Sequence, residues 1–271
     1  MRSCFARFIC VVSVSTSLFS YLAFAQDGQR GQRGQRGRNA EPQGPSVPHD
    51  AHDLNGVWQL SARQGAGFAL SNDVPPRTPY GDMKFNANKP SYGPRAIPPA
   101  QGNDPTGNCD PLGVPRILFF TNWPVEIFQA PGRMVQVFEW NRVFREIWTD
   151  GRALPKDPDD LKWLGYSVGK WDGDTFVVDS SGFDDRTWLD HFGNPHSDQM
   201  HLQERYHRVD RDTLELTMTL TDPKVYTKPW VGEKKTFKLV PKGEVKEMFC
   251  VPSEEQSFNA RIRNPAGGVK R

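Results

Sequence analysis

From Gly56 to Cys250 the chain repeats one local pattern: short runs rich in Val, Ile, Phe, Trp and Thr, each broken by Gly, Pro, Asn or Asp. Apolar residues spaced for a helix are almost missing, so strands, not helices, must build the core. The runs fall at 56–60, 125–129, 133–140, 142–149, 166–171, 175–180, 201–209, 213–220, 234–240 and 245–250. Most connections are tight. Pro131-Gly132, Asp172-Gly173-Asp174 and Asp210-Arg211-Asp212 each carry the turn residues of a hairpin.

Many short strands joined by hairpins predict an all-β, antiparallel up-and-down barrel, because closing such a meander removes its exposed edges. A two-sheet sandwich is the alternative. The opening Asn55-Gly56-Val57-Trp58 resembles the Gly-x-Trp start of lipocalins and related calycin barrels. The stretch 71–115 is different: it is crowded with prolines from Pro75-Pro76 to Pro115 and carries Tyr80, Phe85 and Tyr92. It reads as a long, extended Pro/Gly-rich loop covering the barrel.

The first 48 residues stand apart. Arg2 and Arg7, a short apolar run, and Ala23-Phe24-Ala25 match a signal peptide cut after Ala25, with the mature chain starting at Gln26. Residues 26–48, with GQR three times in succession and three prolines, have too little apolar surface to offset ordering entropy and read as a disordered tether. Residues 49–271 are expected to form a single domain. Setting aside six arginines and two acids of the first 48 residues takes the formal charge from +2 to −2. That balance argues against a nucleic-acid partner. Export implies a periplasmic or secreted protein with no stable membrane insertion once the signal is removed. Cys4 and Cys10 leave with the signal, so Cys109 and Cys250 remain as an even pair in an oxidising compartment and predict one disulfide.

Polar chemistry concentrates between Asp179 and His207, which hold four of the six histidines. Trp188, Leu189 and Phe192 anchor this connection, and ordered loops on a rigid β scaffold are where sites tend to lie. His196 and His201 are candidate acid–base groups, with Asp185 and Asp190 as carboxylate partners and Arg186 or Arg205 to hold an oxyanion. A divalent metal on His196 and His201 is an open alternative to cofactor-free chemistry. On a strand, His201 and Glu204 fall on opposite faces and would not ligate together without a bulge. A second cluster, Asp222 to Trp230, places Lys224 and Tyr226 at the same expected mouth. No nucleophile elbow, phosphate loop or dinucleotide fingerprint occurs.

The runs CDPLGVPR, EWNRVFREIWTDGR, GYSVGKW, GDTFVVDSSGFDDRTWLD, PHSDQMHLQERYHR and DPKVYTKPW together resemble a widespread family of exported bacterial proteins. Most of its members have no assigned function, and the similarity spans 107–250. The resemblance implies that Asp185, Arg186, Trp188, Asp190, His196, His201 and Glu204 belong to its signature, and that His191 and His207 do not.

These readings combine into one expectation: a barrel mouth receiving a small aromatic or partly apolar organic molecule. The leading form is a cofactor-independent lyase, isomerase or hydrolase. Asp185, Asp190, His196 and His201 would be catalytic, and Arg186, Trp188, Glu204, Arg205, Tyr226 and Lys224 would bind the substrate. A lipocalin-like binding protein and an envelope interaction module are the alternatives. The acidic, basic and imidazole groups are expected to converge on one concave region.

Overall fold

The structure, a computed structural model, describes residues 48–61, 68–266 and 268, all within the unit 44–271. The signal peptide and the tether lie outside the described residues, save Pro48.

Ten strands form one sheet: β1 (Gly56–Leu60), β2 (Val125–Ala130), β3 (Arg133–Phe138), β4 (Phe144–Trp148), β5 (Tyr166–Asp172), β6 (Thr175–Ser181), β7 (His201–Asp210), β8 (Thr213–Thr221), β9 (Trp230–Val231) and β10 (Lys235–Leu239). β1 to β8 are neighbours in chain order, and β10 pairs with both β1 and β8. Nine strands therefore close a barrel, and the short β9 lies on the same edge of β8 beyond β10. Closure satisfies the edge groups that an open sheet would leave bare.

Alternation along each strand sets the inside. Leu214, Leu216, Met218 and Leu220 of β8, and Leu202, Glu204, Tyr206 and Arg208 of β7, are buried, while their neighbours turn outward or are only partly covered. Trp58, Phe119, Phe176, Phe183 and Trp230 fill the same core, each 1 % exposed or less. The β5–β6 hairpin closes through Gly173 and Asp174, and Gly173 takes the left-handed φ of +56° that a tight turn between right-twisted strands needs.

Three features differ from the sequence reading. β4 and β5 run parallel and meet at one residue pair, Trp148 with Val168, so the meander is not antiparallel throughout. The cause is the long link 149–165, which returns the chain to the same end of the barrel before β5 begins.

The expected covering loop contains a helix, α1 (Pro79–Ala87), which lacks an apolar stripe and owes its start to its cap. Thr78 Oγ1 accepts from the Gly81 amide at 3.1 Å, with Pro79 at the first helical position and Asp82 in the first turn. Residues 245–250 are not a strand. They lead into a second helix, α2 (Pro252–Phe258), which continues as a π-helical turn, Asn259–Arg263.

Cys109 and Cys250 are joined, with Cα atoms 5.4 Å apart, and the bridge fastens the covering segment to the C-terminal helical stretch. Among the described residues no helix is long and apolar enough to cross a membrane.

Candidate functional site

The polar residues singled out by the sequence divide among three environments. Glu204 points into the barrel, where its Oε1 and Oε2 accept from Arg145 Nη1 and Nη2 at 3.1 and 2.5 Å. Arg145 Nε donates to Ser167 at 3.1 Å, Nη1 also to Gln136 at 3.2 Å, and Nη2 also to Ser180 at 2.8 Å. Tyr206 donates its hydroxyl to Glu204 at 2.8 Å and accepts from Gln136 at 3.0 Å. All five guanidinium hydrogens are committed, so this buried network satisfies itself. Burial, reinforced by the Glu204 carboxylate, pushes the Tyr206 phenol well above its ordinary range.

His201 and Arg205 are on the opposite face of β7, as alternation requires. His201 Nε2 lies 3.4 Å from Asp179 and Arg205 Nη2 lies 3.0 Å from Asp172, both in partly exposed pairs. Neither shares a cavity with Glu204.

The third group holds the β6–β7 connection together. Asp190 is fully buried and accepts from the Phe192 and Asn194 amides at 2.8 and 3.2 Å and from Asn194 Nδ2 at 2.6 Å. Burial pushes its carboxyl above the usual range, although these donors oppose the shift. Tyr226 donates to the Pro195 carbonyl at 2.9 Å, and Asp222 accepts from the Ser197 amide and hydroxyl at 2.6 and 2.8 Å. The β8–β9 loop thus clamps the β6–β7 loop by specific bonds. Lys224 lies at its exposed side, bonded to Asp198 at 2.8 Å.

His196, fully buried, lies inside that clamp. Its Nδ1 is 3.1 Å from the Ser197 carbonyl, which can only accept, so Nδ1 carries the proton. Nε2 is then a bare acceptor and takes the Thr187 hydroxyl at 2.6 Å. Burial holds the imidazole below its ordinary pKa and keeps it neutral. Gly113 makes room for this pair: its φ is +73°, and a Cβ there would fall 2.6 Å from Thr187 Oγ1. Thr187, Trp188, Asp185 and Arg186 line one small cleft of about 300 Å³, facing Lys84, whose Nζ is 3.0 Å from Asp185. The sequence reading passed over Thr187. Its signal was a hydroxyl beside an Asp-Asp-Arg run, too common to single out.

The six groups expected to converge therefore do not share one concave region. Asp185, Arg186 and Trp188 are brought together with His196 behind Thr187, whereas His201 and Glu204 are separated by the barrel wall. Among the described residues no three His, Cys, Asp or Glu side chains are grouped to hold a metal ion.

A larger cleft opens where the barrel wall is weakest. Between β4 and β5, on the open side of the Trp148–Val168 pair, lies a cavity of about 670 Å³. Trp148, Trp163, Tyr166 and Phe144 line its walls with Leu154 and Pro155, and Arg145 and Ser167 of the interior network form its floor. Three of these rings each carry a cation over one face: Arg152 is 3.7 Å from the Trp148 centroid, Arg186 4.1 Å from Trp163, and Lys162 4.1 Å from Tyr166. Arg186 also holds Asp184 through Nε and Nη2, at 2.9 and 2.5 Å, so its planar group joins the loop to the cleft wall. Nothing in the sequence flagged this cleft, because it depends on where β4 and β5 fail to pair.

Comparison with family models, curated proteins and solved structures finds no match for the chain.

Proposed function

We propose that the chain is an exported, lipocalin-like binding protein whose ligand, a small ring-bearing and partly apolar molecule, enters the β4–β5 cleft rather than the barrel interior. One observation carries the reading: a cavity of about 670 Å³ walled by Trp148, Trp163 and Tyr166 lies at the one junction where two adjacent wall strands share a single residue pair. Its size and aromatic lining suit a small organic ligand, and the cations stacked on its rings favour one that carries a negative charge. The barrel interior offers no such place, being filled with side chains and the closed Arg145–Glu204 network.

Titration with 1-anilinonaphthalene-8-sulfonate, a ring-bearing anion, tests this. Fluorescence enhancement should saturate, and Trp163→Ala with Tyr166→Ala should weaken it by about tenfold, the order expected for losing two stacking rings. Undiminished binding in that double variant removes the proposal.

A second reading, a cofactor-independent enzyme, draws support from the Thr187–His196 pair alone. A neutral imidazole with a fixed tautomer, accepting from a hydroxyl at the wall of a cleft that also holds Asp185 and Arg186, is placed to take that proton. Hydrolysis of p-nitrophenyl acetate above background, abolished in Thr187→Val, would favour it. Equal rates in both proteins count against it.

A further inference from the structure

We infer a second ligand site, for a neutral saccharide unit, in the cleft between the covering segment and the C-terminal helical stretch. This cavity of about 650 Å³ is bounded by Tyr92, Asn103 and Asp104 on one side and by Asn259 and Arg263 of the π-helical turn on the other, with Trp140 also in its wall.

The charges around it cancel. Asp104 is held by Arg116 through two bonds of 2.9 and 2.5 Å, and Glu255 pairs with Arg263 at 2.9 Å. A charged ligand finds no uncompensated partner in these pairs.

Two buried polar atoms in the same wall have no hydrogen-bond partner among the described residues: Trp140 Nε1 and Asn259 Oδ1. Buried polar groups are nearly always paired, so such orphans call for an explanation. Indole nitrogen only donates and the amide oxygen only accepts. An anion would answer the first and a cation the second, whereas a hydroxyl both donates and accepts. A molecule bearing several hydroxyls answers both at once.

The remaining features fit the same ligand. Tyr92, about half exposed, and Trp140, stacked in a cluster with Phe120 and Trp123, present ring faces on which the C–H face of a sugar ring can lie. The backbone here is held in uncommon conformations. Asn141 and Arg142 next to Trp140 have φ of 55° and 50°, and Asn259 opens a π-helical turn. Both devices are found preferentially where a site must be aimed.

The test titrates the disulfide-bonded mature chain with two probes, N,N′-diacetylchitobiose and maltose, by calorimetry and saturation-transfer NMR. At least one disaccharide should bind, with ring protons showing the strongest transfer. Tyr92→Ala and Asn259→Ala should each weaken it by tenfold or more, and Trp140→Phe, which keeps a ring and removes the donor, by about fivefold. Unfolding midpoints measured alongside show that the variants are folded; Tyr92→Ala, at a half-exposed position, keeps the test valid should Trp140→Phe not fold. Anilinonaphthalene sulfonate binding at the β4–β5 cleft should be unchanged in all three, which separates this site from the other. Binding of neither disaccharide at 10 mM, or equal binding in the wild type and folded variants, overturns the inference.

Discussion

Arg145 on β4 and Glu204 on β7 form a two-pronged ion pair inside the barrel, with side chains at most 1 % exposed. Removing one charge from such a pair leaves the other buried without a partner, at a cost of about 3–5 kcal/mol, whereas replacing both by apolar groups of similar volume is close to neutral. Glu204→Gln should therefore lower urea stability by an amount in that range, and Arg145→Met with Glu204→Leu should recover most of it. A Glu204→Gln protein that keeps its stability but loses ligand would instead place Glu204 in a binding site.

The Cys109–Cys250 bridge closes a loop of 141 residues. In the chain-entropy model a loop of that length stabilises the folded state by roughly 4–5 kcal/mol, as an upper figure. Cys109→Ala with Cys250→Ala should unfold at markedly lower urea than the wild type. Folded wild-type protein should show no alkylatable thiol by mass spectrometry without reductant. Two reactive thiols would refute the pairing in solution.

Stability should fall in mild acid. His191 lies edge-on to Phe68, Tyr92 and Phe120, and burial, then the Arg116 charge, lowers its pKa to about 3. The unfolded chain takes up that proton below pH about 6.5, while the folded protein refuses it until about 3. The unfolded state thus binds more protons across this window, and stability drops as pH falls through it. Between pH 7.5 and 4.5 this one group contributes a loss of about 2–3 kcal/mol. Urea titrations at the two pH values should show His191→Phe losing less by that amount. Equal losses in both proteins would show that His191 is not the source.

Thr187→Val leaves the buried Nε2 of His196 without its donor at nearly unchanged volume. Stability should fall by about 1–3 kcal/mol, and Thr187→Ser should restore much of it. Gly113→Ala should be at least as damaging, since the new methyl meets Thr187 and a left-handed φ is disfavoured for any side chain. Thermal unfolding of the three variants decides; a Thr187→Val protein as stable as the wild type would mean the bond contributes nothing.

How much was legible depends on the range of the signal. Nine of the ten expected runs became strands because a period of two is local: Leu214, Leu216, Met218 and Leu220 show the buried face of β8 without any partner. Residues 245–250 had β-forming side chains and no strand to pair with. Helix α1 was hidden because its signal was a cap, Thr78-Pro79, and not an apolar stripe. In the site, alternation correctly set His201 and Glu204 on opposite faces, yet it did not reveal that Glu204 meets Arg145, 59 residues away.

The sequence by itself determined the strands, the turns, the even cysteine pair and the crowding of polar groups between Asp179 and His207, since each is written in residues close along the chain. Only the tertiary structure decided that β10 closes on β8, that β4 and β5 meet at a single pair, and that a cleft opens beside that pair. Those outcomes rest on register between segments far apart in sequence. Such register is selected by packing the whole set of inward side chains at once, and no local run of residues encodes it.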